Sequence, residues 1–219
     1  MKPESEPISF MDWTLRVRPP ADAGGRLLLM LHGWQGDENS MWIFARNLPA
    51  DYWIVAPRAL HVAPEGGYTW RTPVSGGWPT LETLMPAVDA LVDLLDAWAR
   101  EHDIADPAMD MIGFSQGAAL SFAFALLHPE RVRKLGILAG FAPEGADAIA
   151  VPGKFTGKHF FVAHGSKDQI VPVEQAQRSV RLLESAGARV SFCQSEVGHK
   201  LSLDCLKSLE DYLGEGNHR

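Results

Sequence analysis

The chain has 219 residues, of which 46% are hydrophobic and 21% are charged. This length and composition fit one globular domain over residues 1–219, with its core in about residues 26–213, and argue against a disordered or fibrous chain. The 20 basic and 27 acidic residues give a formal net charge of −7, which argues against binding of nucleic acid or of an anionic membrane surface.

The first residues and the cysteines predict where the protein works. Residues 1–7 are polar and acidic, with no basic segment before an apolar run, so we expect no secretory signal. The longest apolar runs, such as residues 27–31, are too short to span a bilayer. Cys193 and Cys205 form no metal or disulfide pattern. We therefore expect a cytoplasmic protein with reduced cysteines and no stable membrane insertion.

Short apolar runs predict the strands of a sheet. Continuous runs of this kind are typical of strands that are covered on both faces of a parallel sheet. The predicted strands cover residues 27–31, 52–56, 109–114, 135–139, 159–163 and 189–193. Residues 12–17 alternate polar and apolar side chains and predict an antiparallel edge strand before the others.

Segments with helical features follow or separate these strands. They cover residues 81–102, 116–127, 174–185 and 203–213. The first has apolar side chains at helical spacing, the second stops before His128-Pro129, and Gly187 and Gly214 follow the last two. Strands and helices alternate along the chain, which predicts a doubly wound α/β fold.

Residues 57–80 lack clear periodicity but carry several aromatic and cationic side chains. Irregular loops of this length are uncommon in compact domains and are usually functional or disordered. We expect this loop to contribute to a substrate pocket, with Tyr68, Trp70, Arg71 and Trp78 as candidate lining residues. Ordinary packing is the alternative for the tryptophans, and a surface position is the alternative for Arg71.

The strongest chemical signal is Gly-Phe-Ser-Gln-Gly at residues 113–117. An apolar strand leads into this segment and a predicted helix leaves it, which is the context of a sharp turn that presents a serine hydroxyl above the sheet. The flanking glycines are needed there because a Cβ atom would collide with the neighbouring strand and helix. Ser115 is therefore the candidate nucleophile.

A serine nucleophile needs a base and an acid that orients the base, and in this architecture they follow the serine in the order acid, histidine. His199 lies between the last predicted strand and the last helix and is the candidate base. The other histidines after Ser115 fit other roles better: His128, His159, His164 and His218. Asp168 follows a strand at its carboxyl end, where sites cluster in open α/β sheets, and Asp147 is the alternative acid.

An oxyanion hole needs two backbone N–H groups that are fixed before the reaction. Gln116, directly after the serine, supplies one at a helix N-terminus. The second is expected after the first apolar strand, where Gly33 allows a sharp turn and Trp34 N–H is the candidate donor. A glycine turn with no ligand role is the alternative.

Four segments together resemble the α/β-hydrolases: residues 32–33, 113–117, 164–172 and 198–202. They read His-Gly, Gly-Phe-Ser-Gln-Gly, His-Gly-Ser-Lys-Asp-Gln-Ile-Val-Pro and Gly-His-Lys-Leu-Ser. They are most similar to the cap-less carboxylesterase/phospholipase family, which includes acyl-protein thioesterases and bacterial carboxylesterases. The resemblance implies a mostly parallel α/β-hydrolase sheet without a separate cap domain. It also implies a Ser115–Asp168–His199 triad and an oxyanion hole formed by Trp34 and Gln116.

The expected activity is that of a serine carboxylesterase acting on short- to medium-chain esters through an acyl-enzyme. A lysophospholipase or acyl-protein thioesterase is the alternative, and a non-catalytic binding protein on the same fold is a remote one. Trp34 stands where eukaryotic thioesterases carry a small or aliphatic residue, so we expect a narrow acyl pocket. We expect no metal or organic cofactor. The expected partner is a small-molecule ester rather than nucleic acid, and a homodimer is compatible with the sequence.

Overall fold

The computed structural model describes residues 7–21, 25–72, 77–106 and 108–215. Within these ranges the strands are β1 (Pro7–Phe10), β2 (Trp13–Arg18), β3 (Arg26–Leu31), β4 (Tyr52–Pro57), β5 (His61–Val62), β6 (Tyr68–Thr69), β7 (Met109–Phe114), β8 (Val132–Leu138), β9 (His159–Gly165) and β10 (Arg189–Ser195). The α-helices are α1 (Leu81–Glu101), α2 (Gln116–Leu127), α3 (Val173–Ser185) and α4 (Leu203–Gly214). The predicted strands and helices are therefore confirmed to within a few residues at their ends.

Eight strands form one sheet in the order β1-β2-β4-β3-β7-β8-β9-β10. The strands from β4 to β10 in this order are parallel, whereas β2 runs antiparallel to β4 and to β1. The expected antiparallel strand is present as β2, but it is not the edge of the sheet. The edge is β1, a mostly exposed strand of four residues, which is too short to give a clear sequence pattern.

The sheet is covered on both faces, as the apolar runs predict. On β3, Leu27, Leu29 and Leu31 belong to the core shared with α1, α2 and α3. Leu28 and Met30 belong to the core on the other face, which α4 and the 3-10 turn Ser40–Phe44 cover. The fold is thus the mostly parallel α/β sandwich that the sequence predicts, and the described residues insert no helical cap over the carboxyl ends of the strands.

Helix α2 lies at the centre of this arrangement, next to β3, β7 and β8. All but the last of its residues are buried, because it is apolar on every side, which is typical of a helix enclosed by the rest of a protein. Helix α1 is amphipathic, and a reciprocal pair of hydrogen bonds between Thr80 and Thr83 caps its N-terminus. None of the helices in the described part of the chain combines the length and hydrophobicity needed to cross a bilayer.

The cysteines correct one expectation. Cys193 on β10 and Cys205 on α4 form a disulfide, with their Cα atoms 5.6 Å apart, so the prediction of two reduced, unpaired cysteines is wrong. The packing of α4 against β10 brings the two residues together. Tertiary contacts of this kind do not appear as a cysteine spacing pattern in the sequence.

Candidate active site

Ser115 occupies the turn between β7 and α2. Its backbone dihedrals are φ 53° and ψ −114°, a left-handed conformation that costs free energy for a residue with a side chain and is concentrated at functional sites. The Ser115 side chain does not cap α2. The turn therefore presents the hydroxyl to a cleft instead of using it within the helix.

The glycines on either side of Ser115 make the turn possible. A Cβ on Gly113 would come within 2.3 Å of the carbonyl oxygen of Gly117, and a Cβ on Gly117 within 2.2 Å of the carbonyl oxygen of Leu31. Both neighbours are backbone atoms that cannot move aside without shifting the strand or the helix. The steric reason expected for both glycines is confirmed.

Asp168 and His199 meet across two adjacent strand ends. His199 Nδ1 lies 2.6 Å from Asp168 Oδ2, while the other carboxylate oxygen accepts hydrogen bonds of 2.9 Å from the N–H groups of Ile170 and Val171. Burial alone raises the pKa of Asp168, but the hydrogen bonds from Val171, His199 and Ile170 outweigh it and lower the pKa. The carboxylate is thus ionised at neutral pH and holds the His199 ring with Nδ1 protonated.

The alternative acid lies away from the Asp168–His199 pair, and of the other histidines in the described ranges His164 alone contacts Asp168. Asp147 forms an ion pair with Arg178. His128 ends α2, and His159 contacts Ser191 and lies near Glu215. His164 is buried, and its Nε2–H donates to the carbonyl oxygen of Val171 at 2.8 Å and lies 3.5 Å from Asp168 Oδ2. His218 lies outside the described residues.

The two candidate oxyanion donors lie beside Ser115. Trp34 and Ser115 line the same clefts, and Gln116 directly follows the serine at the start of α2. Neither the N–H of Trp34 nor that of Gln116 donates to a backbone carbonyl within the described ranges. Both donors are therefore available to an anion near the serine, and the positive end of the α2 dipole would further stabilise that anion.

The described part of residues 57–80 mainly supports the loop at residues 32–36, and only its later residues line a cleft that contains Ser115. Strands β5 and β6 form a hairpin, and Tyr68 exchanges backbone hydrogen bonds with Gln35 and Gly36 at 2.9 and 3.0 Å. Trp70 is 1% exposed, and its Nε1–H donates to the carbonyl oxygen of His32 at 2.8 Å. Tyr68 and Trp70 line neither cleft that contains Ser115, so their expected role as pocket residues is corrected to support of the loop.

The side chains of Gln116 and His32 complete this support, which the sequence reasoning missed. The Gln116 side-chain oxygen accepts hydrogen bonds from Thr69 Oγ1 and from the N–H of Trp70. His32 Nδ1–H donates to the carbonyl oxygen of Gly33 at 2.7 Å, and His32 Nε2 accepts the N–H of Ala59 at 3.0 Å. Burial lowers the pKa of His32, which keeps this neutral tautomer. The His-Gly pair at residues 32–33 is the sequence signal that pointed to this loop.

The larger cleft at Ser115 is mostly apolar and has a volume of about 700 Å³, well within the range of small-molecule sites. Its lining residues are Gly33, Trp34, Gln35, Gly36, Ser40, Met41, Ile43, Phe44, Phe114, Ser115, Ile170, His199, Lys200, Leu201, Ser202, Leu203 and Leu206. Ile43 and Leu203 are 72% and 84% exposed at this cleft. Trp34 lines the cleft without filling it. The expectation that its bulk makes the pocket narrow is therefore wrong.

A second cleft of about 300 Å³ also contains Ser115. Trp78, 42% exposed, lines it with its ring 4.5 Å from that of Phe141. Arg71 lines the same cleft but is only 5% exposed, and its guanidinium donates to the carbonyl oxygen of Gly77 at 2.8 Å. The surface position considered for Arg71 is therefore wrong.

The sequence model of the family described as Phospholipase/Carboxylesterase matches residues 14–215 of this chain. Among individual relatives, the chain is 27% identical over 144 residues to a probable carboxylesterase of Oryza sativa subsp. japonica, which is 64% of this chain and 54% of the rice protein. The chain thus spans about half the length of that plant relative.

Two further comparisons extend over nearly the whole chain. The chain is 25% identical over 233 residues to acyl-protein thioesterase 1 of Kluyveromyces lactis, covering 92% of this chain and 96% of the yeast protein. The crystal structure of a carboxylesterase from Mesorhizobium loti matches with a TM-score of 0.83 and 20% identity, covering 97% of this chain and 100% of that one. At this identity the structural match shows the fold.

Proposed function

Since this chain belongs to the phospholipase/carboxylesterase family, we propose that it is a serine carboxylesterase with Ser115 as nucleophile, His199 as base and Asp168 as acid. One observation carries the proposal. Ser115, held in a strained turn, lines the same cleft as His199, and His199 is hydrogen-bonded to the buried Asp168. A nucleophile, a base and an orienting carboxylate in this relation are what acyl transfer requires.

The chemistry proceeds in two halves. Ser115 Oγ attacks the acyl carbon while His199 Nε2 takes the hydroxyl proton, and the same proton then passes to the leaving alcohol as the ester C–O bond breaks. A water molecule, deprotonated by His199, attacks the acyl-enzyme and releases the acid and free Ser115. Throughout, Asp168 keeps the ring oriented and stabilises the imidazolium that forms twice in each cycle.

The tetrahedral intermediates carry a negative charge on the former carbonyl oxygen. In this proposal the N–H groups of Trp34 and Gln116 bind that oxygen, because both are close to Ser115 and unused by backbone carbonyls within the described residues. Donors fixed before the reaction stabilise the transition state without reorganisation. The hydrogen bonds from Tyr68 and Trp70 to the 32–36 loop supply that rigidity.

The two clefts suggest how an ester lies across Ser115. The larger cleft is apolar and suits the acyl chain, whereas the smaller one, with Trp78 and Arg71, suits the alcohol portion. We propose medium-chain acids as the preferred acyl groups, because the volume of about 700 Å³ is larger than short acids need. This moves the expected optimum toward the longer end of the short- to medium-chain range.

A thioesterase is the second candidate function. The match over nearly the full length to the yeast acyl-protein thioesterase favours it, and the same site performs the reaction with a thiol as leaving group. Matched oxygen and sulfur esters of octanoic acid separate the two. A larger kcat/KM for the oxygen ester supports the carboxylesterase, and a larger value for the thioester supports the second candidate.

Other aspects of the function remain proposals. We propose a small-molecule ester as the substrate and, from the net charge of −7, no nucleic-acid partner. A cytoplasmic location and a homodimer remain predictions from the sequence.

The direct test of the activity is hydrolysis of p-nitrophenyl acetate, butyrate, octanoate and palmitate by the purified protein. We expect the highest kcat/KM at octanoate, and a loss of several decades in Ser115→Ala. Ser166→Ala is the matched control, since Ser166 lies beside the Asp168 turn but not in the cleft. Hydrolysis that survives in Ser115→Ala would overturn the proposal.

A further inference from the structure

The disulfide encloses the segment that carries the candidate base. Cys193 is near the end of β10, Cys205 is in the first turn of α4, and the two are 12 residues apart in sequence. His199 stands midway between them. The cross-link therefore closes a short loop around His199, and closing a loop removes many of the conformations that the loop would otherwise sample.

The same segment forms one wall of the larger cleft. Its contribution comes from the loop before α4 and from the first turns of that helix. The residues concerned are His199, Lys200, Leu201, Ser202 and Leu203, and Leu206 directly follows the segment. The cross-linked segment thus contains the candidate base and part of the wall of the larger cleft.

Backbone hydrogen bonds hold the beginning of the segment but not its remainder. Ser195 and Val197 accept bonds of 2.8 and 3.0 Å from the N–H groups of Ser166 and Lys167 on the neighbouring turn. From Gly198 to Leu201 the backbone makes no hydrogen bond to another element within the described part of the chain, and Lys200 N–H bonds only to Gly198 within the loop. Ser202 caps α4: its side chain accepts the N–H of Cys205, and its carbonyl oxygen accepts that of Leu206. The local structure leaves this stretch dependent on its side chains and on the cross-link.

Helix α4 is anchored by hydrogen bonds mainly at its far end. Lys134 Nζ donates to the carbonyl oxygen of Tyr212 at 2.7 Å, and Tyr52 donates to that of Leu213 at 3.2 Å. At its near end Cys205 is 1% exposed and packs in the core beneath the sheet. The disulfide is the covalent tie that fixes this near end to β10.

We propose that the Cys193–Cys205 disulfide is a positioning element for His199 and for the α4 wall of the cleft, so that hydrolysis depends on the redox state of this pair. The inference rests on the proposed function for its effect on activity. Reduction by a phosphine and water breaks the S–S bond, gives two thiols and converts the phosphine to its oxide. The freed loop then samples orientations of His199 in which Nε2 no longer serves Ser115.

The experiment compares oxidised protein, phosphine-reduced protein and the C193A/C205A variant, with intact mass showing the gain of two hydrogens on reduction. With p-nitrophenyl octanoate well below the unfolding temperature, we expect reduction to lower kcat by about tenfold, since small misplacements of a catalytic group are costly. The C193A/C205A variant should have the kcat of the reduced protein, and phosphine treatment should not change it. Discrimination between octanoate and butyrate should also weaken, because the wall moves.

A second readout does not depend on turnover. The downfield proton resonance of His199 Nδ1–H, assigned by its absence in His199→Ala, should broaden or disappear on reduction. If the cross-link is merely stabilising, its loss lowers Tm but leaves kcat and this resonance unchanged. That result, in either the reduced protein or the variant, overturns the proposal. If the resonance responds while Ser115→Ala keeps full esterase activity, the proposed function fails and the positioning role stands.

Discussion

Among individual side chains, Asp168 and Asp147 show what decides the choice of acid. Both follow strands of the parallel sheet, and the strand-end argument favoured Asp168. In the structure His199 is hydrogen-bonded to Asp168, whereas Asp147 forms an ion pair with Arg178. The sequence could indicate the loop that carries the acid, but the N–H donors of Ile170 and Val171 that keep its carboxylate ionised depend on how the turn folds.

Replacing Asp168 should affect the reaction far more than replacing Asp147. In Asp168→Asn the amide no longer selects the Nδ1–H tautomer of His199 or stabilises its imidazolium, so we expect kcat to fall by about 10⁴-fold. Asp147→Asn is the matched control and should keep kcat within about twofold, as surface changes usually do. Steady-state kinetics on p-nitrophenyl octanoate measure both. Equal losses in the two variants would contradict the assignment.

Between secondary-structure elements, the β5–β6 hairpin and the residues after it brace the loop that follows β3. Aromatic composition predicted a functional loop here, and its place beside the site agrees with that. The composition could not show that Trp70 faces inward, because this depends on the carbonyl oxygen of His32 and the Gln116 side chain, both distant in sequence. Strand and helix positions were predictable because they follow from local periodicity.

The brace can be tested by removing one hydrogen bond. Trp70→Phe deletes the N–H that supports the carbonyl oxygen of His32 and leaves that buried oxygen unpaired, at a cost of about 1–3 kcal/mol in the free energy of unfolding. Because the proposed oxyanion hole would act mainly in the transition state, we expect kcat to fall by about tenfold with little change in KM.

Trp98→Phe provides the matched control for the brace. Trp98 is equally buried, but its Nε1 has no hydrogen-bond partner within the described residues and it packs away from the site. Trp98→Phe should therefore lower the free energy of unfolding and leave kcat unchanged. If both variants keep full kcat, the hairpin does not hold the oxyanion donors in place.

Across the whole protein, the architecture was predictable and the connections made by packing were not. Buried apolar runs and helical periodicity are local features, and they specified a sheet covered on both faces. The size of the larger cleft and the Cys193–Cys205 bond arise from contacts between α4, β10 and the 3-10 turn Ser40–Phe44. The bulk of Trp34 wrongly predicted a narrow pocket, because the space beside this side chain depends on α4 and on the 3-10 turn.

Two buried histidines make the stability of the whole fold depend on pH. Burial lowers the pKa of His32 and of His164, so below about pH 6.5 the unfolded chain binds protons that the folded one resists. The free energy of unfolding should therefore be level above about pH 7.5. It should fall as the pH drops from about 7 to 5, by up to about 1.4 kcal/mol per pH unit for each histidine. The lowered pKa of Asp168 adds a loss only at more acidic pH.

Urea unfolding at a series of pH values measures this dependence. His164→Gln keeps a donor for the carbonyl oxygen of Val171 but removes the titrating ring, so its slope between pH 7 and 5 should be shallower than that of the wild type. A wild-type stability that stays constant over this window would show that the two rings are not held neutral by the fold.

The nucleophilic role of Ser115 is open to one direct measurement. A fluorophosphonate ester should phosphonylate the wild-type protein at a single site, and peptide mass spectrometry should place the adduct on Ser115. Ser115→Ala should carry no adduct, and His199→Ala should react slower by orders of magnitude, because the hydroxyl has lost its base. An adduct on another residue, or wild-type protein that stays unlabelled, would contradict the assignment of Ser115 as the nucleophile of a serine esterase.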